Sequence, residues 1–186
     1  MAKKKINSDK IIWIDLEMTG LDVRSDKILE LAAVVTDWKM GEKADLELVF
    51  KQPDALLKLK FKTKFWRDNA ETARALLEQN KLGVSRTVAE ERLIAFVQKQ
   101  FKIKAPAGDI ILAGNTIRAD REFIDKYLPK FARYLHYRML DVSSFKVLFD
   151  ARYKKIFPKP ETHRALDDIR GSIEELRYFM KFIEVK

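Results

Sequence analysis

Five side chains in this sequence are of types that can hold divalent cations or accept a proton, and they occur in three separate segments. Asp15 and Glu17 stand in "IIWIDLEMTG", Asp120 follows the turn "GNT", and His163 and Asp168 stand in "THRALDDIR". Hard cations prefer carboxylate oxygens, and a neutral imidazole can act as a general base. The elements that carry the three segments decide whether these residues can meet.

The first pair follows a run of apolar residues typical of a strand covered on both faces. Two residues apart on a strand, Asp15 and Glu17 point to the same side, and a divalent cation would keep both ionised despite their repulsion. The alternative is two carboxylates exposed where the strand ends. Asp45 and Glu47 form the same D-x-E triplet, but they alternate with leucines and are predicted to lie on the wet face of an amphipathic strand.

The other candidates each have a structural alternative. Asp120 could serve only as a favourable charge at a helix start, and His163 could be a solvated residue at the start of the last helix, where Thr162 is predicted as the cap. Asp168 borders the apolar stripe of that helix, where a carboxylate needs a partner, and a metal ion is one of few available.

The elements predicted around these residues indicate an α/β fold with a mixed sheet. Strands are expected at 11–15, at 28–36, in "ADLELVFKQ" and in "DIILAG". Helices are expected after a capping box of Thr87 and Glu90, around Phe123 to Leu128 with a stop near Pro129, and along an apolar stripe from Ala165 to Ile183.

Composition indicates one folded domain over 1–186, with 1–9 as a flexible basic terminus. The chain is 47% hydrophobic and has no cysteine, so any metal must bind through oxygen or imidazole. Its apolar runs are too short to span a bilayer, and a soluble, cytoplasmic protein is expected. The net charge of +9 is spread along the chain and favours an anionic partner such as nucleic acid, or serves solubility alone.

Taken together, the motifs resemble the DEDD exonucleases of the histidine subclass, which have an RNase H-like fold. The segments "WIDLEMTGLD", "LHYRMLDVSS" and "HRALDDIRGSIEEL" narrow the resemblance to the oligoribonucleases, 3′-to-5′ exoribonucleases that finish RNA decay. The resemblance covers almost the whole chain. It implies that Asp15, Glu17, Asp120 and Asp168 hold two Mg²⁺ or Mn²⁺ ions and that His163 is the general base.

The resemblance also implies residues that bind a very short RNA such as a dinucleotide, and a homodimer. Leu21 matches a wedge against the bases, Trp66 an aromatic residue beside the substrate, and Tyr137 a stacking residue that the partner subunit supplies together with Arg138. The residues matching the cap on the 5′ phosphate are Thr116, Arg138 and Ser143.

One position departs from the family. Glu71 stands five residues after Trp66, where the family usually has histidine, and a carboxylate there would repel a phosphate or fail to stack on a base. Either the loop is realigned by a residue or two, or the substrate cleft is looser than in the family. Two other functions remain open on sequence alone: an exonuclease that acts on longer single-stranded DNA or RNA, and a non-catalytic nucleic-acid-binding protein that keeps the fold.

Overall fold

The computed structural model describes residues 8–158 and 164–184. Five strands and eight helices are found in these ranges. In chain order they are β1 (Lys10–Met18), β2 (Ile28–Asp37), β3 (Glu42–Val49), α1 (Asp54–Lys60), α2 (Lys64–Asp68), α3 (Ala70–Asn80), α4 (Arg86–Phe101), β4 (Ile110–Gly114), α5 (Arg118–Tyr127), α6 (Pro129–Ala132), β5 (Leu135–Asp141), α7 (Val142–Tyr153) and α8 (Ala165–Met180).

The strands form one mixed sheet in the order β3-β2-β1-β4-β5. The three leading strands pair antiparallel, and β1, β4 and β5 pair parallel. The mixed sheet predicted from sequence is therefore confirmed. The carboxyl ends of β1 and β4 meet at one edge, where ligands are held in many open α/β sheets.

Helices cover both faces of the sheet, and β1 contributes alternate side chains to each face. Ile12, Ile14 and Leu16 pack with α4, α5 and α6 in one core cluster. Ile11 and Trp13 pack on the opposite face against α7 and α8. Because side chains alternate along a strand, Asp15 and Glu17 continue the row of Ile11 and Trp13 and point toward α8.

Several details of the predicted helix ends are wrong. Ser85, not Thr87, caps α4 by accepting the Val88 backbone N–H, and Thr87 lies inside the helix. The Glu90 carboxylate instead accepts the Lys130 and Phe131 backbone N–H groups, at 2.7 and 3.1 Å, and so caps the start of α6.

The last helix also differs at its two ends. Arg164, and not Thr162, occupies the position before α8, and the helix ends at Met180 rather than continuing to Ile183. Thr162 itself and residues 1–7 lie outside the described ranges. No described helix combines the length and the apolar character that a membrane crossing requires.

Candidate active site

Three carboxylates from the two ends of the chain converge beside the sheet. Asp15 and Glu17 come from the end of β1, and Asp168 comes from the first turn of α8. One oxygen of each lies within 4.8 Å of the others. The α8 stripe of Ala165, Ile169 and Ile173 packs on β1 and β2, and this packing fixes the distance between the helix and the strand.

Asp120, from the first turn of α5, approaches the same strand. Its Oδ1 accepts the backbone N–H of Leu16 at 3.0 Å. Leu16 stands between Asp15 and Glu17 on β1, so the buried Asp120 carboxylate is held beside this pair. Gly114 ends β4 and allows this approach, since a Cβ there would lie 3.0 Å from the Ile14 carbonyl oxygen and 2.8 Å from Ile117 Cδ1.

Burial, together with neighbouring carboxylates, raises the pKa of Glu17 and of Asp120. Burial, and then the charges of Asp15, Asp168 and Glu30, raise the pKa of Glu17 from 4.5 to about 8, against the opposing charge of Arg164. Burial, followed by the charge of Asp15, raises the pKa of Asp120 well above its usual range. Perturbed pKa values of this kind cluster at functional sites.

Buried Glu30 and partly exposed Arg164 lie next to the carboxylates. Glu30 pairs with Glu17 across β1 and β2 and is buried, and its Oε1 lies 3.6 Å from an Arg164 guanidinium nitrogen. Burial raises the pKa of Glu30, and Arg164 opposes that rise. Sequence analysis missed Glu30, although a charge inside the apolar run "ILELAAVVT" is the same signal that identified Asp15 and Glu17.

A cleft of about 440 Å³ opens beside Asp15, Glu17 and Asp168. Thr116 and Ser143 also line this cleft, and their hydroxyl oxygens lie 3.1 Å apart. The Thr116 backbone N–H donates to Ser143 Oγ at 2.9 Å and to Asp141 Oδ1 at 3.0 Å, and Thr116 has a left-handed φ of 50°. The structure thus brings the carboxylates and two of the predicted phosphate-binding residues to one cleft.

Leu21 lies outside this cleft, on the turn between β1 and β2, with 79% of its surface exposed. Asp26 holds the turn by accepting from the Thr19 hydroxyl at 2.8 Å and from the Asp22 backbone N–H at 3.0 Å. Burial would raise the pKa of Asp26, but the hydrogen bonds from Lys60 and Thr19 outweigh it and lower that pKa. The apolar side chain is therefore presented to solvent by an ordered turn.

Trp66 is only 2% exposed and does not line the cleft. Its ring packs in a third core cluster with Leu57 and Leu76, and its indole N–H donates to the Thr19 carbonyl oxygen at 3.1 Å. In this single chain, Trp66 thus supports the turn that carries Leu21. Glu71 is exposed in the first turn of α3 and also does not line the cleft.

Tyr137 and Arg138 project from β5, an edge strand of the sheet, and do not line the cleft of their own chain. Tyr137 is 70% exposed, and its ring stacks on buried His136 at 4.4 Å between centroids. His136 Nδ1 accepts the Arg138 backbone N–H at 2.9 Å, and the Arg138 guanidinium lies 5.3 Å from the Tyr137 ring centroid. These contacts order the Tyr137 and Arg138 side chains while leaving both accessible to a second molecule.

The donor set fits divalent cations of the hard class. The three clustered carboxylates, and Asp120 beside the same strand, offer oxygen ligands only. The repulsion between neighbouring carboxylates favours binding of a positive ion. His163 lies outside the described residues, directly before Arg164, and its predicted role stays a prediction.

Comparison with known proteins shows that the chain is similar to exonucleases. Residues 12–176 match the RNase_T family, described as "Exonuclease". A Francisella tularensis oligoribonuclease is 41% identical over 178 residues, covering 93% of this chain and 95% of its own. The human mitochondrial oligoribonuclease is 37% identical over 185 residues, covering 96% of this chain and 75% of its own.

Solved structures support the fold. An exonuclease I from Methylocaldum szegediense superposes with a TM-score of 0.62 at 18% identity, over 93% of this chain. A zinc-bound Escherichia coli exonuclease I bound to single-stranded DNA gives a TM-score of 0.64 at 12% identity. This chain spans only about 40% of the length of those proteins.

Proposed function

Because this chain belongs to the oligoribonuclease family of exonucleases, we propose that it hydrolyses very short RNAs from the 3′ end, dinucleotides above all, to 5′-mononucleotides. One observation carries the proposal: the carboxylates and the Thr116–Ser143 wall face one cleft. A dinucleotide whose phosphodiester is held at the carboxylates would then have polar groups of the same cleft to receive its 5′ phosphate.

Asp15, Glu17, Asp120 and Asp168 are proposed as ligands of two divalent cations, Mg²⁺ or Mn²⁺. Such ions, when bound, supply Lewis acidity for attack of water on a phosphodiester. The protein's own residues hold the carboxylates in place through β1, α5 and α8. His163 is proposed to accept the proton of the attacking water from the segment just before α8, a role worth typically ~10²–10⁴-fold in rate.

The proposed preference for short RNA depends on a terminal phosphate. Thr116 and Ser143 would bind the 5′ phosphate, and Arg138 would add a bidentate contact that a phosphodiester continuing into further chain would crowd. Leu21, on its ordered turn, is proposed to pack against the bases. Because the Trp66 ring is buried, we propose that it supports this turn rather than contacting the substrate directly.

A homodimer is part of the proposal because Arg138 and Tyr137 lie away from their own cleft and are solvent-exposed. Further exposed apolar side chains lie on and after α7, namely Val147, Leu148, Tyr153 and Ile156. Exposed apolar patches mark association surfaces, and we propose that these side chains contribute to one. The proposed occupant is a second copy of the chain, which would receive Arg138 and Tyr137 in its cleft. We propose the cytoplasm as the compartment.

The function is tested with 5′-phosphorylated RNAs of two, three, five and seven nucleotides, by measuring kcat/KM with Mg²⁺ or Mn²⁺. We expect the dinucleotide to give the highest kcat/KM. A flat profile would favour the exonuclease that acts on longer strands. Asp45→Asn and Glu47→Gln, in the exposed second D-x-E triplet, serve as controls for Asp15→Asn and Glu17→Gln.

Subunit complementation tests the dimer. Arg138→Ala and Asp168→Asn are each expected to be poorly active on the dinucleotide alone. In a mixed dimer, the intact carboxylates of the Arg138→Ala chain receive Arg138 from the Asp168→Asn chain, so activity should return on mixing. A mixture of Asp15→Asn and Asp168→Asn has no complete carboxylate set and should stay inactive. If the mixture of Arg138→Ala and Asp168→Asn stays as inactive as this control, Arg138 does not act across subunits.

A further inference from the structure

A buried carboxylate on α8 connects to the cleft wall through a chain of hydrogen bonds. Glu175 is 0% exposed, and its Oε2 accepts from Asn115 Nδ2 at 2.9 Å. Asn115 Nδ2 also donates to Ser172 Oγ at 2.9 Å, and Asn115 Oδ1 accepts from Ser143 Oγ at 3.2 Å. Ser143 in turn contacts Thr116, so the chain ends at the proposed phosphate-binding wall.

The direction of every bond in this chain follows from Glu175. A carboxylate can only accept, so the amide nitrogen of Asn115 must face it. Ser172 donates its hydroxyl proton to the Asp168 carbonyl oxygen at 2.8 Å, so it accepts the second proton of the amide. Asn115 Oδ1 is therefore turned toward Ser143 and takes the Ser143 hydroxyl proton.

The other oxygen of Glu175 is buried behind the cleft wall and does not line the cleft. Its Oε1 has no hydrogen-bond partner among the described residues, and the nearest cation is Lys146 Nζ at 3.9 Å. Lys146 lies on α7 and lines the cleft together with Thr116 and Ser143. A buried carboxylate is stable only with a compensating charge, so Glu175 holds the ammonium group on this wall.

We propose that Glu175 is a positioning residue for recognition of the terminal 5′ phosphate. It fixes the Asn115 amide, and through it the Ser143 hydroxyl, while it keeps Lys146 beside them as a cationic contact for the phosphate. The inference rests on the proposed function and adds two residues, Glu175 and Lys146, that sequence analysis did not assign.

Glu175→Gln tests this arrangement because glutamine has a single acceptor oxygen. That oxygen can accept from Asn115 or face Lys146, but not both. The glutamine NH2 group would then face the other partner, Asn115 Nδ2 or the Lys146 ammonium group, and it can accept from neither. Glu174→Gln is the matched control, since Glu174 is the exposed neighbour on the same helix and pairs with Arg177. Lys146→Gln, at a solvent-exposed position, tests the other end of the contact without loss of a buried group.

The measurement is the ratio of kcat/KM for a 5′-phosphorylated dinucleotide to kcat/KM for the same dinucleotide with a 5′ hydroxyl. We expect Glu175→Gln and Lys146→Gln each to lower this ratio by about tenfold, the scale of one charge-assisted hydrogen bond. Glu174→Gln should keep the wild-type ratio. Thermal unfolding of each variant is recorded in parallel.

The outcomes separate the two proposals. Equal losses on both substrates would make Glu175 a merely structural residue and overturn the inference, as would an unchanged ratio in both variants. If Glu175→Gln fails to fold, the ratio for Lys146→Gln decides alone, and an unchanged value refutes the inference. Wild-type protein that hydrolyses neither dinucleotide would overturn the proposed function and the inference together.

Discussion

The substitution Glu17→Gln removes one of four crowded carboxylates and keeps the size of the side chain. Without a bound cation, folding raises the pKa of Glu17 from 4.5 to about 8. Between these values the folded protein keeps a proton that the unfolded chain has released. The free energy of unfolding of the metal-free protein therefore falls as pH rises through this window.

The size of the effect follows from the shift. At ~1.4 kcal/mol per pKa unit, the full shift corresponds to ~5 kcal/mol. Glu17 is partly exposed at the cleft, where water screens the charges, so we expect about 1–3 kcal/mol. Glutamine does not ionise, and Glu17→Gln should lose this share of the pH dependence.

Urea unfolding of chelator-treated protein at pH about 5 and about 8 measures the effect. We expect wild type to lose about 1–3 kcal/mol more than Glu17→Gln between the two pH values. Glu91→Gln, at an exposed position on α4, should behave as wild type. Added Mg²⁺ should stabilise wild type more at the higher pH, because a cation competes with the proton. A Glu17→Gln variant with the full wild-type pH slope would refute the assignment of the raised pKa to Glu17.

Four further predictions concern single residues. Asp168→Asn should lower Mg²⁺-dependent hydrolysis by roughly 10²-fold or more, while Asp167→Asn, at the exposed neighbouring position, should stay within about twofold in the same assay. His163→Ala should lower kcat by roughly 10²-fold with cation affinity unchanged by calorimetry; near-normal kcat would remove His163 from the mechanism. Arg138→Ala should weaken a 5′-phosphorylated dinucleotide by ~1.5–3 kcal/mol in kcat/KM and longer RNAs less, so equal losses would contradict a terminal-phosphate contact. Gly114→Ala should destabilise the fold by about 1–3 kcal/mol in urea, since its Cβ would meet a side chain at 2.8 Å.

Sequence patterns predicted the part of the site that local chemistry fixes. A buried strand that ends in charge identified Asp15 and Glu17, and a carboxylate beside an apolar helical stripe identified Asp168. The structure brings these three together. Periodicity also separated them from Asp45 and Glu47, which lie exposed on β3 as predicted.

The parts that sequence analysis missed depend on contacts between distant segments. Thr87 and Glu90 have the spacing of a capping box. The Glu90 carboxylate instead accepts a hydrogen bond at the start of α6 from Lys130, which is 40 residues further along the chain. The buried positions of Trp66 and Glu175 depend on which helices cover them. Their burial cannot be predicted from a local motif or from helical periodicity, because it depends on tertiary packing.

The position of the clustered carboxylates along the chain has a consequence for biosynthesis. β1 and β2 can pair early in synthesis, but Asp168 and the α8 stripe that holds it against the sheet are made only after all five strands. A growing chain, or one truncated before α8, can therefore form strands without ever assembling the full carboxylate set. The cluster of Asp15, Glu17 and Asp168 therefore forms only after α8 has been made and has packed on the sheet.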